Sequence, residues 1–587
     1  TYPDPAVGVV QVLGEFALRR GVEPVAFCAK LETIVHGTTV TTNALLTGGL
    51  ARTGLLATSG FRDSLEMRKG YREAMYDNRY QAPPPVVPRE LRLGVRERVA
   101  ADGSVVAPVD DEGLDAALEA LASAEVESVA ISFMHSYANP SHERQVLERV
   151  RGRLGESVYV TASTDVLGRI GYFERTSTTC VNAGAGPLFR RYLRSLAERL
   201  DEVGFEGLLL IMQSGGGMAS LERAAELACN SLLSGPAGGV VAAQRHAAVH
   251  GYGHCLSMDM GGTSFDICAI EDGEPLATTE ASVGPHRVAT PMVDIRTIGA
   301  GGGSIAWVDS GGLLRVGPQS AGSTPGPACY GRGGELPTVT DANLVLGYLD
   351  PADFWDGRLQ LDRERSVAAI REHVAVPLGL GVEEAALGIF RVVSVNMTAA
   401  ARQVTVERGN DPRDYVLIVG GGAGPVHASV LLEELGAAGA LIPAMSAVMS
   451  AGGMLMADVK DTQLRTVVKP LAAAEAAGLD RLREEMRAEA EGQLGAEGEV
   501  ELSWSLELRY GGQLFEIAVS VDEAEFGAST DAIAARFHER HNALHGFSVP
   551  DAEVQLINVR LDAVRRQNWL RPRSKGTGGG AFTASAA

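Results

Sequence analysis

Short apolar runs alternate with amphipathic segments along most of this chain. The runs ESVAISFMHSYA and ESVYVTAS have the length and composition of strands, and DEGLDAALEALASA and SHERQVLERVRGRL beside them have helical periodicity. A further helix is predicted over GPLFRRYLRSLAERLDEVGF, whose apolar face consists of Leu188, Tyr192, Leu196 and Leu200. This alternation predicts an α/β fold in which helices cover mixed sheets.

The pattern changes at about residue 456. A charged helical segment is followed there by the alternating runs ELSWSLELRYGG and LFEIAVSV, which predicts a smaller α+β domain over residues 456–570. The chain ends in SKGTGGGAFTASAA, a composition with nothing to bury, so residues 571–587 are predicted to be a flexible tail.

Composition narrows the class of protein. A length of 587 residues predicts several domains. With 52 Lys and Arg against 73 Asp and Glu, a formal charge of -21 and no basic run, nucleic acid and anionic membrane surfaces are poor partners. The apolar runs are far shorter than the roughly 20 residues of a membrane span, so a soluble, cytoplasmic protein is predicted. The six cysteines lie far apart and are predicted to be buried free thiols.

Three glycine-rich turns carry the chemistry: LSMDMGGTS, TIGAGGGSIA and DYVLIVGGGAGPVHASVLLEELG. In the first, small residues after a strand expose backbone N–H groups and hydroxyls, which suit phosphate oxygens. Asp259 at the strand end would bind a hydrated Mg²⁺ beside those phosphates. The predicted cofactor-binding residues are Gly261, Gly262, Thr263, Ser264, Asp266, Gly301, Gly302, Gly420, Gly421, Gly422 and Gly424.

Each turn by itself has a simpler interpretation as a structural turn. Neither the first nor the third is a Walker loop, because GxxxxGK[ST] is absent, and neither has the spacing GxGxxG. Three such turns in one chain nevertheless favour a phosphate-bearing ligand.

Polar residues outside the glycine turns supply further candidates. His36 stands beside Thr38 and Thr39 in HGTT, where a substrate or phosphate contact competes with capping of the helix that follows. Asp341 in TVTDAN either orients a ligand or the metal, or caps a helix. The predicted catalytic residues are Asp259, His36, Thr38, Thr39 and Asp341.

A histidine cluster near the C-terminus has two interpretations. His538, His541 and His545 fall at i, i+3 and i+7, on one face of a predicted helix. This spacing allows a zinc site, but no fourth ligand or orienting partner is visible in the sequence. The pattern favours a helix that packs this face on a neighbouring domain or a partner subunit.

The motifs as a set resemble the hydantoinase A / 5-oxoprolinase family, and they cover nearly the whole chain in order. The matching segments include HGTTVTTNALL, TGLLATSGFRD, HSYANPSHE, YFERTSTTCVNA, IMQSGGGMAS, LLSGPAGGVVAA, MDMGGTSFDI, SAGSTPGPACYGRGG, TVTDANLVLG and GGGAGPVHA.

The resemblance implies an actin-like, two-lobed nucleotide-binding fold of the sugar kinase and Hsp70 type, with ATP and Mg²⁺ as cofactors. The N-terminal lobe is then expected over residues 1–180 and the main ATP-binding lobe over 181–455. MDMGGTS resembles the second phosphate loop, with Asp259 near the metal, and GGGAGP resembles the adenosine-side loop. Family members open with a further hairpin, DxGGTFTD, which is missing before the first residue of TYPDPAVGVV.

The function implied is ATP-dependent hydrolysis of a cyclic amide such as a hydantoin, 5-oxoproline or another lactam. This chain would phosphorylate the substrate carbonyl, and a B-type partner subunit would complete ring opening. Acetone and acetophenone carboxylases also resemble the chain, so ATP-dependent activation of bicarbonate or an enol is the alternative. A nucleotide-binding scaffold without turnover is the second alternative.

Overall fold

The computed structural model describes residues 4–71, 73, 75–279, 281–355, 357–474, 476–495, 498–526, 530–567 and 570. Contacts divide the chain into two compact units. The first contains the described residues of 1–234, 278–292 and 458–567, and the second those of 235–277, 293–457 and 568–587. The predicted tail, 571–587, lies outside the described residues.

Two large sheets form the first unit. The order in the seven-stranded sheet is Thr33–His36, Leu208–Met212, Met218–Ser220, Val459–Pro470, Val554–Arg565, Val500–Tyr510 and Ile517–Val521. The order in the four-stranded sheet, which is parallel throughout, is Arg92–Val95, Thr53–Thr58, Ser128–Ser132 and Tyr159–Ala162. Two short hairpins pair Arg98–Val99 with Val105–Ala107 and Ala281–Val283 with His286–Val288.

Helices cover these sheets. They are Pro5–Arg19, Pro24–Cys28, Val40–Thr47, Ser64–Met67, Asp111–Ser123, Ser141–Leu154, Ser163–Val166, Tyr172–Glu202, Leu221–Glu226, Ala476–Leu494 and Thr530–His545. Apolar packing explains why helices cover the parallel sheet. Leu55 and Ile131 from its strands are fully buried against Leu114 and Leu118 of one helix, so the apolar stripe of that helix has its partner in the sheet.

The helix predicted from residue 186 begins earlier in the structure, at Tyr172. The sequence favours a start at Pro187, because proline suits the first turn of a helix. In the fold Pro187 lies inside a 31-residue helix instead. The preceding polar segment stays helical because it is buried in the core, where Gly186 packs so closely on Tyr159 that a Cβ would lie 2.4 Å from its ring.

One mixed sheet organises the second unit. Its order is Glu274–Pro275, Phe265–Glu271, Cys255–Met260, Val416–Gly420 and Gly439–Leu441, and Arg296–Ile298 also pairs with Phe265–Glu271. A separate hairpin is formed by Ser304–Val308 and Leu314–Ser320. The helices of this unit are Val339–Val345, Arg363–Ile370, Val376–Leu378, Val382–Val404, Gly424–Leu435 and Met449–Met456. The helix Ser234–Val249 begins at the last residue of the first unit's N-terminal segment and continues into this unit. Residues Arg371–Ala375 form a π-helical turn.

Alternate side chains of the central strand Cys255–Met260 point into the core of this unit. Leu256 and Met258 are buried with Leu417 against Ile389 and Val393 of the long helix Val382–Val404. The mixed α/β architecture agrees with the fold class predicted from the sequence, and no helix among the described residues is long and apolar enough to cross a membrane.

The elements after residue 456 are strands interleaved with two helices. Contacts group residues 458–567 with the first unit. The predicted domain boundaries at 180, 455 and 570 stay predictions.

The three C-terminal histidines lie on the helix Thr530–His545. Both ring nitrogens of His541 are engaged, by the Gln513 amide at 3.1 Å and the Phe547 carbonyl at 2.8 Å. The Nδ1 atom of His538 lies 2.6 Å from the Tyr510 hydroxyl. In the described part of the chain no three His, Cys, Asp or Glu side chains are grouped to bind a metal. His538 and His541 therefore bond to residues of the same predicted domain, 456–570, and not to a neighbouring domain or a partner subunit.

Candidate functional site

The first glycine turn closes a tight antiparallel hairpin in the second unit. Cys255–Met260 pairs with Phe265–Glu271 in a register that sets Asp259 directly opposite Asp266. The Gly261 N–H donates to the Ser264 carbonyl at 3.1 Å and closes the turn. The hairpin thus presents two carboxylates at its base and four small residues at its tip.

The tip of the hairpin is open. Gly262 and Thr263 are exposed, and a Cβ added at Gly261 or Gly262 would meet nothing within 4 Å. Among the residues that the structure describes, no acceptor bonds to the N–H of Gly262 or of Thr263. Adjacent free N–H groups on a sharp turn form a concave site for anion oxygens, so the geometry fits a phosphate.

The second glycine turn packs against the first and is hydrogen-bonded to its backbone. The N–H groups of Gly302 and Gly303 donate to the carbonyls of Gly261 and Gly262, at 3.0 and 2.6 Å. A Cβ on Gly301 would lie 2.5 Å from the Thr263 nitrogen. Gly301 and Gly302 are therefore placed to fix the shape of the hairpin tip from below rather than to face a ligand.

The third glycine turn follows the neighbouring parallel strand, in which Gly420 is in register with Asp259. Gly421 has φ +83°, and its Cα lies so close to the hairpin that a Cβ would be 2.2 Å from the Met260 carbonyl oxygen. Gly422 is exposed and has open space around it.

A helix starts directly behind this turn. Gly424–Leu435 begins with a proline in its first turn, and the Ala423 N–H donates to the Met260 carbonyl at 3.0 Å. The N-terminus of a helix carries partial positive charge and unpaired N–H groups. The hairpin tip and this helix start are thus two anion-suited elements anchored to the same strand.

The carboxylate of Asp259 is closely packed against neighbouring residues. Its Oδ2 atom accepts a hydrogen bond from the Ser450 hydroxyl at 2.7 Å. A Cβ on Gly239 would lie 3.3 Å from the same oxygen, and one on Gly421 would lie 2.5 Å from Oδ1. Burial raises the pKa of Asp259, and the Ser450 hydrogen bond opposes that rise.

Asp266 carries the larger shift. Burial raises its pKa to about 6; the hydrogen bond from Thr297 opposes the rise, the charge of Asp259 adds to it, and the hydrogen bond from Ser264 opposes it. A divalent cation bound between these two buried carboxylates would relieve both the cost of their burial and the effect of the Asp259 charge on Asp266. Mg²⁺ prefers one or two carboxylates completed by phosphate oxygens and water, so the donor set at the base of the hairpin fits it.

Asp341 is a fully buried cap. It accepts hydrogen bonds from the N–H groups of Ala328, Cys329 and Thr338 and from the hydroxyls of Thr338 and Ser366. With Thr338 it forms a capping box at the start of the next helix. Of its two predicted roles, these contacts favour capping.

The HGTT residues belong to the first unit, at the end of a strand parallel to Leu208–Met212. Nε2 of His36 lies 2.7 Å from the Tyr192 hydroxyl, and burial lowers the pKa of His36 to about 4. Thr38 accepts from the Val40 N–H at 3.3 Å, and Thr39 accepts from the Asn43 amide at 3.2 Å. Both hydroxyls are thus used locally at a helix start, and their predicted substrate contact stays a prediction.

The family of the chain follows from comparison with known proteins. Residues 1–154 match the hydantoinase/oxoprolinase N-terminal region, and residues 175–463 match hydantoinase/oxoprolinase. The chain is 38% identical over 575 residues to caprolactamase subunit alpha of Pseudomonas jessenii, covering 96% of this chain and 82% of that one. The chain belongs to the hydantoinase/oxoprolinase family. The resemblance predicted from the motifs is confirmed.

Two solved structures are similar to this family member. The crystal structure of ATP-dependent caprolactamase from Pseudomonas jessenii matches with a TM-score of 0.84 and 37% identity, covering 96% of this chain and 83% of that chain. A nucleotide-free structure of acetone carboxylase matches with a TM-score of 0.76 and 29% identity, covering 97% and 84%. The chain is thus an enzyme component of an ATP-dependent family, and its relatives are named as subunits.

Sequence reasoning did not find three residues that shape the hairpin of this family member. Ser450 binds Asp259 from 191 positions away, Gly239 leaves room for that carboxylate, and Thr297 donates to Asp266. Gly239 lies in the segment LLSGPAGGVVAA, whose small residues were the available signal. Nothing local to Ser450 or Thr297 marks either residue as a partner of a carboxylate.

Proposed function

We propose that this chain is the ATP-binding subunit of a cyclic amidohydrolase that opens a hydantoin, 5-oxoproline or another lactam. The observation that carries the proposal is the 38% identity to caprolactamase subunit alpha, which extends over 96% of this chain. The relation to plant 5-oxoprolinase 1 of Arabidopsis thaliana, 32% identical over 584 residues and 45% of that protein, supports the same reaction class.

The chemistry of a lactam explains the need for a nucleotide. An unactivated amide is a poor electrophile, because attack on its carbonyl forfeits amide resonance. ATP supplies the phosphoryl group that converts the carbonyl oxygen into a leaving group. The protein contributes positioning and charge neutralisation, which are the main catalytic terms in phosphoryl transfer.

The residues of the second unit suit these tasks. The N–H groups of Gly262 and Thr263 would bind phosphate oxygens, and Asp259 and Asp266 would bind Mg²⁺ at the base of the hairpin. Gly422 and the helix start behind it would face the nucleotide as the adenosine-side loop. We infer an actin-like, two-lobed fold on the strength of the family motifs and of this pairing of glycine turns.

The first unit would contribute substrate contacts. His36 stays neutral at physiological pH, since burial lowers its pKa to about 4, so it would act as a hydrogen-bonding group rather than a cation. Thr38 and Thr39 beside it would add hydroxyls. Ring opening needs a second catalytic component, for which we propose a B-type partner subunit in the cytoplasm; the subunit names of the relatives support this assembly.

A second candidate is an ATP-dependent ketone carboxylase. The TM-score of 0.76 to acetone carboxylase over 97% of this chain supports it. Both reactions begin with phosphorylation of an oxygen atom, so the same hairpin would serve a lactam, bicarbonate or an enol.

The deciding experiment measures nucleotide consumption by the purified complex of this chain with its partner. Lactams are tested without bicarbonate, and ketones are tested with and without it. Lactam-dependent turnover that does not need bicarbonate supports the amidohydrolase. Turnover that requires both a ketone and bicarbonate overturns it in favour of the carboxylase. The Asp259→Asn complex serves as the control for contaminating ATPase, because it lacks the proposed metal carboxylate.

A further inference from the structure

The first unit contains a polar cavity that shares no residue with the hairpin site. Its volume is about 590 Å³. Its wall includes the helix Tyr172–Glu202, the turn after Leu208–Met212 and the start of Val459–Pro470. Sites for small molecules typically enclose about 300–1,000 Å³, so this cavity has room for one small metabolite.

Charged side chains of both signs line the cavity. Five arginines and one lysine line the cavity against four carboxylates, in a chain whose formal charge is -21. Four of these cations are paired with carboxylates: Arg465 with Glu489 at 2.6 Å, Arg223 with Glu226 at 3.4 Å, Arg151 with Glu148 at 3.1 Å and Lys460 with Asp562 at 3.0 Å. Recognition of an anionic ligand would therefore fall to a lining cation outside these pairs.

Arg190 is the cation that a ligand would use. It is half-buried, and its guanidinium lies over the ring of Tyr159, with Cζ 4.5 Å from the ring centroid. Among the described residues, the partner of this guanidinium is the Tyr159 ring. Stacking on the aromatic ring orients the planar guanidinium and leaves its N–H groups available, which is the arrangement that recognises a carboxylate through paired hydrogen bonds.

Two neutral side chains in the same wall have unmet hydrogen bonds. Thr290 is 2% exposed and Gln463 is 4% exposed. Within the described part of the chain, neither Thr290 Oγ1 nor Gln463 Oε1 has a partner. The Gln463 amide is oriented by its donation to Asp461 at 2.8 Å, which leaves Oε1 as an acceptor. Buried polar atoms in proteins nearly always have partners, so these two point to a ligand with hydrogen-bonding groups.

We propose that this cavity binds a small organic carboxylate that carries a second polar group. Arg190 binds the carboxylate, and Thr290 and Gln463 bind the second group. Every residue involved belongs to the first unit. The proposal therefore stands apart from the nucleotide site of the second unit, and the cavity lining shares no residue with the proposed substrate contacts His36, Thr38 and Thr39.

The test is isothermal titration calorimetry on the full chain without nucleotide, with glutarate as the probe. Glutarate carries two carboxylates on a short chain, and glutaramide is its neutral isostere. We expect glutarate to saturate the protein and glutaramide to bind at least about tenfold more weakly, because a charge-assisted pair with arginine is lost. 6-Aminohexanoate provides a second carboxylate probe.

Two variants locate the binding. Arg190→Met keeps the packing on Tyr159 without the charge, and we expect it to weaken glutarate binding at least about tenfold. Arg194→Met is the matched control, because Arg194 is exposed on the same helix and lies outside the cavity lining. Thr290→Val removes a hydroxyl that has no partner, so it should fold normally and bind several-fold more weakly.

Three results would overturn the proposal. They are the absence of saturation by both glutarate and 6-aminohexanoate below about 10 mM, equal affinity for glutaramide, and unchanged affinity in both cavity variants. ATP consumption by the Arg190→Met complex is measured separately, so failure of the binding site and failure of the proposed reaction give different results.

Discussion

Alanine at Gly421 should disturb both the stability of the second unit and the position of Asp259. Gly421 has φ +83°, which side chains rarely adopt. An added Cβ would lie 2.2 Å from the Met260 carbonyl oxygen and 2.5 Å from Oδ1 of Asp259. The first neighbour is backbone and cannot turn away, so the two strands would have to separate at the point where the site is built.

The magnitude follows from two contributions. The left-handed conformation costs about 1–2 kcal/mol for a residue with a Cβ. Overpacking adds about 1–3 kcal/mol, because the backbone must shift to remove the overlap. The total, about 2–5 kcal/mol, corresponds to a fall of at least about 4 °C in the thermal unfolding midpoint.

Gly422→Ala is the matched control in the same loop. A Cβ there meets nothing within 4 Å and no left-handed backbone is involved, so the midpoint should stay within about 1 °C of the parent. The methyl group would instead occupy the space proposed for the nucleotide and weaken ATP binding. Differential scanning fluorimetry with and without Mg-ATP separates these effects. The reasoning is refuted if Gly421→Ala unfolds at the parent temperature, or if Gly422→Ala is equally destabilised.

Three further predictions concern the carboxylates. Ser450→Ala removes the hydrogen bond that opposes the rise in the Asp259 pKa, so the affinity for Mg-ATP should fall several-fold, and more at pH 6 than at pH 8. Ser450→Thr keeps a hydroxyl and should keep the affinity. Equal losses of affinity at both pH values in a titration would contradict this. Burial raises the pKa of Asp266 to about 6, so folding favours the protonated form of this carboxyl. The stabilisation that comes from this protonation is fully present below about pH 4, the usual pKa of an unfolded aspartate. It is lost as the pH rises through about 6. Asp266→Asn should therefore unfold at a higher temperature than the parent above pH 6, and a lower midpoint there would count against the shift. Asp341→Asn leaves buried donors facing an amide, so it should cost about 3 kcal/mol or more; thermal unfolding like the parent's would exclude the capping role.

Much of the fold was predictable because its signals are local. The strand and the glycine turn of MDMGGTSFDI lie within ten residues, so both could be predicted from the local pattern, whereas the register that sets Asp259 opposite Asp266 was found in the structure. The helix after Gly424 was equally visible from its proline and its apolar spacing. The helix from Tyr172 was not, because burial of its polar first half overrides the preference of Pro187 for a helix start.

The sequence by itself determined the family, the α/β class and the places where the backbone turns, since each depends on residues close together along the chain. Only the tertiary structure decided which glycines face open space and which lie beneath the hairpin, as Gly262 and Gly301 do. It also decided that Asp341 is sealed in a cap and that Ser450 reaches Asp259 across 191 positions. The physical reason is that burial and hydrogen-bond partners depend on contacts between distant segments, and no local pattern encodes which segments will meet.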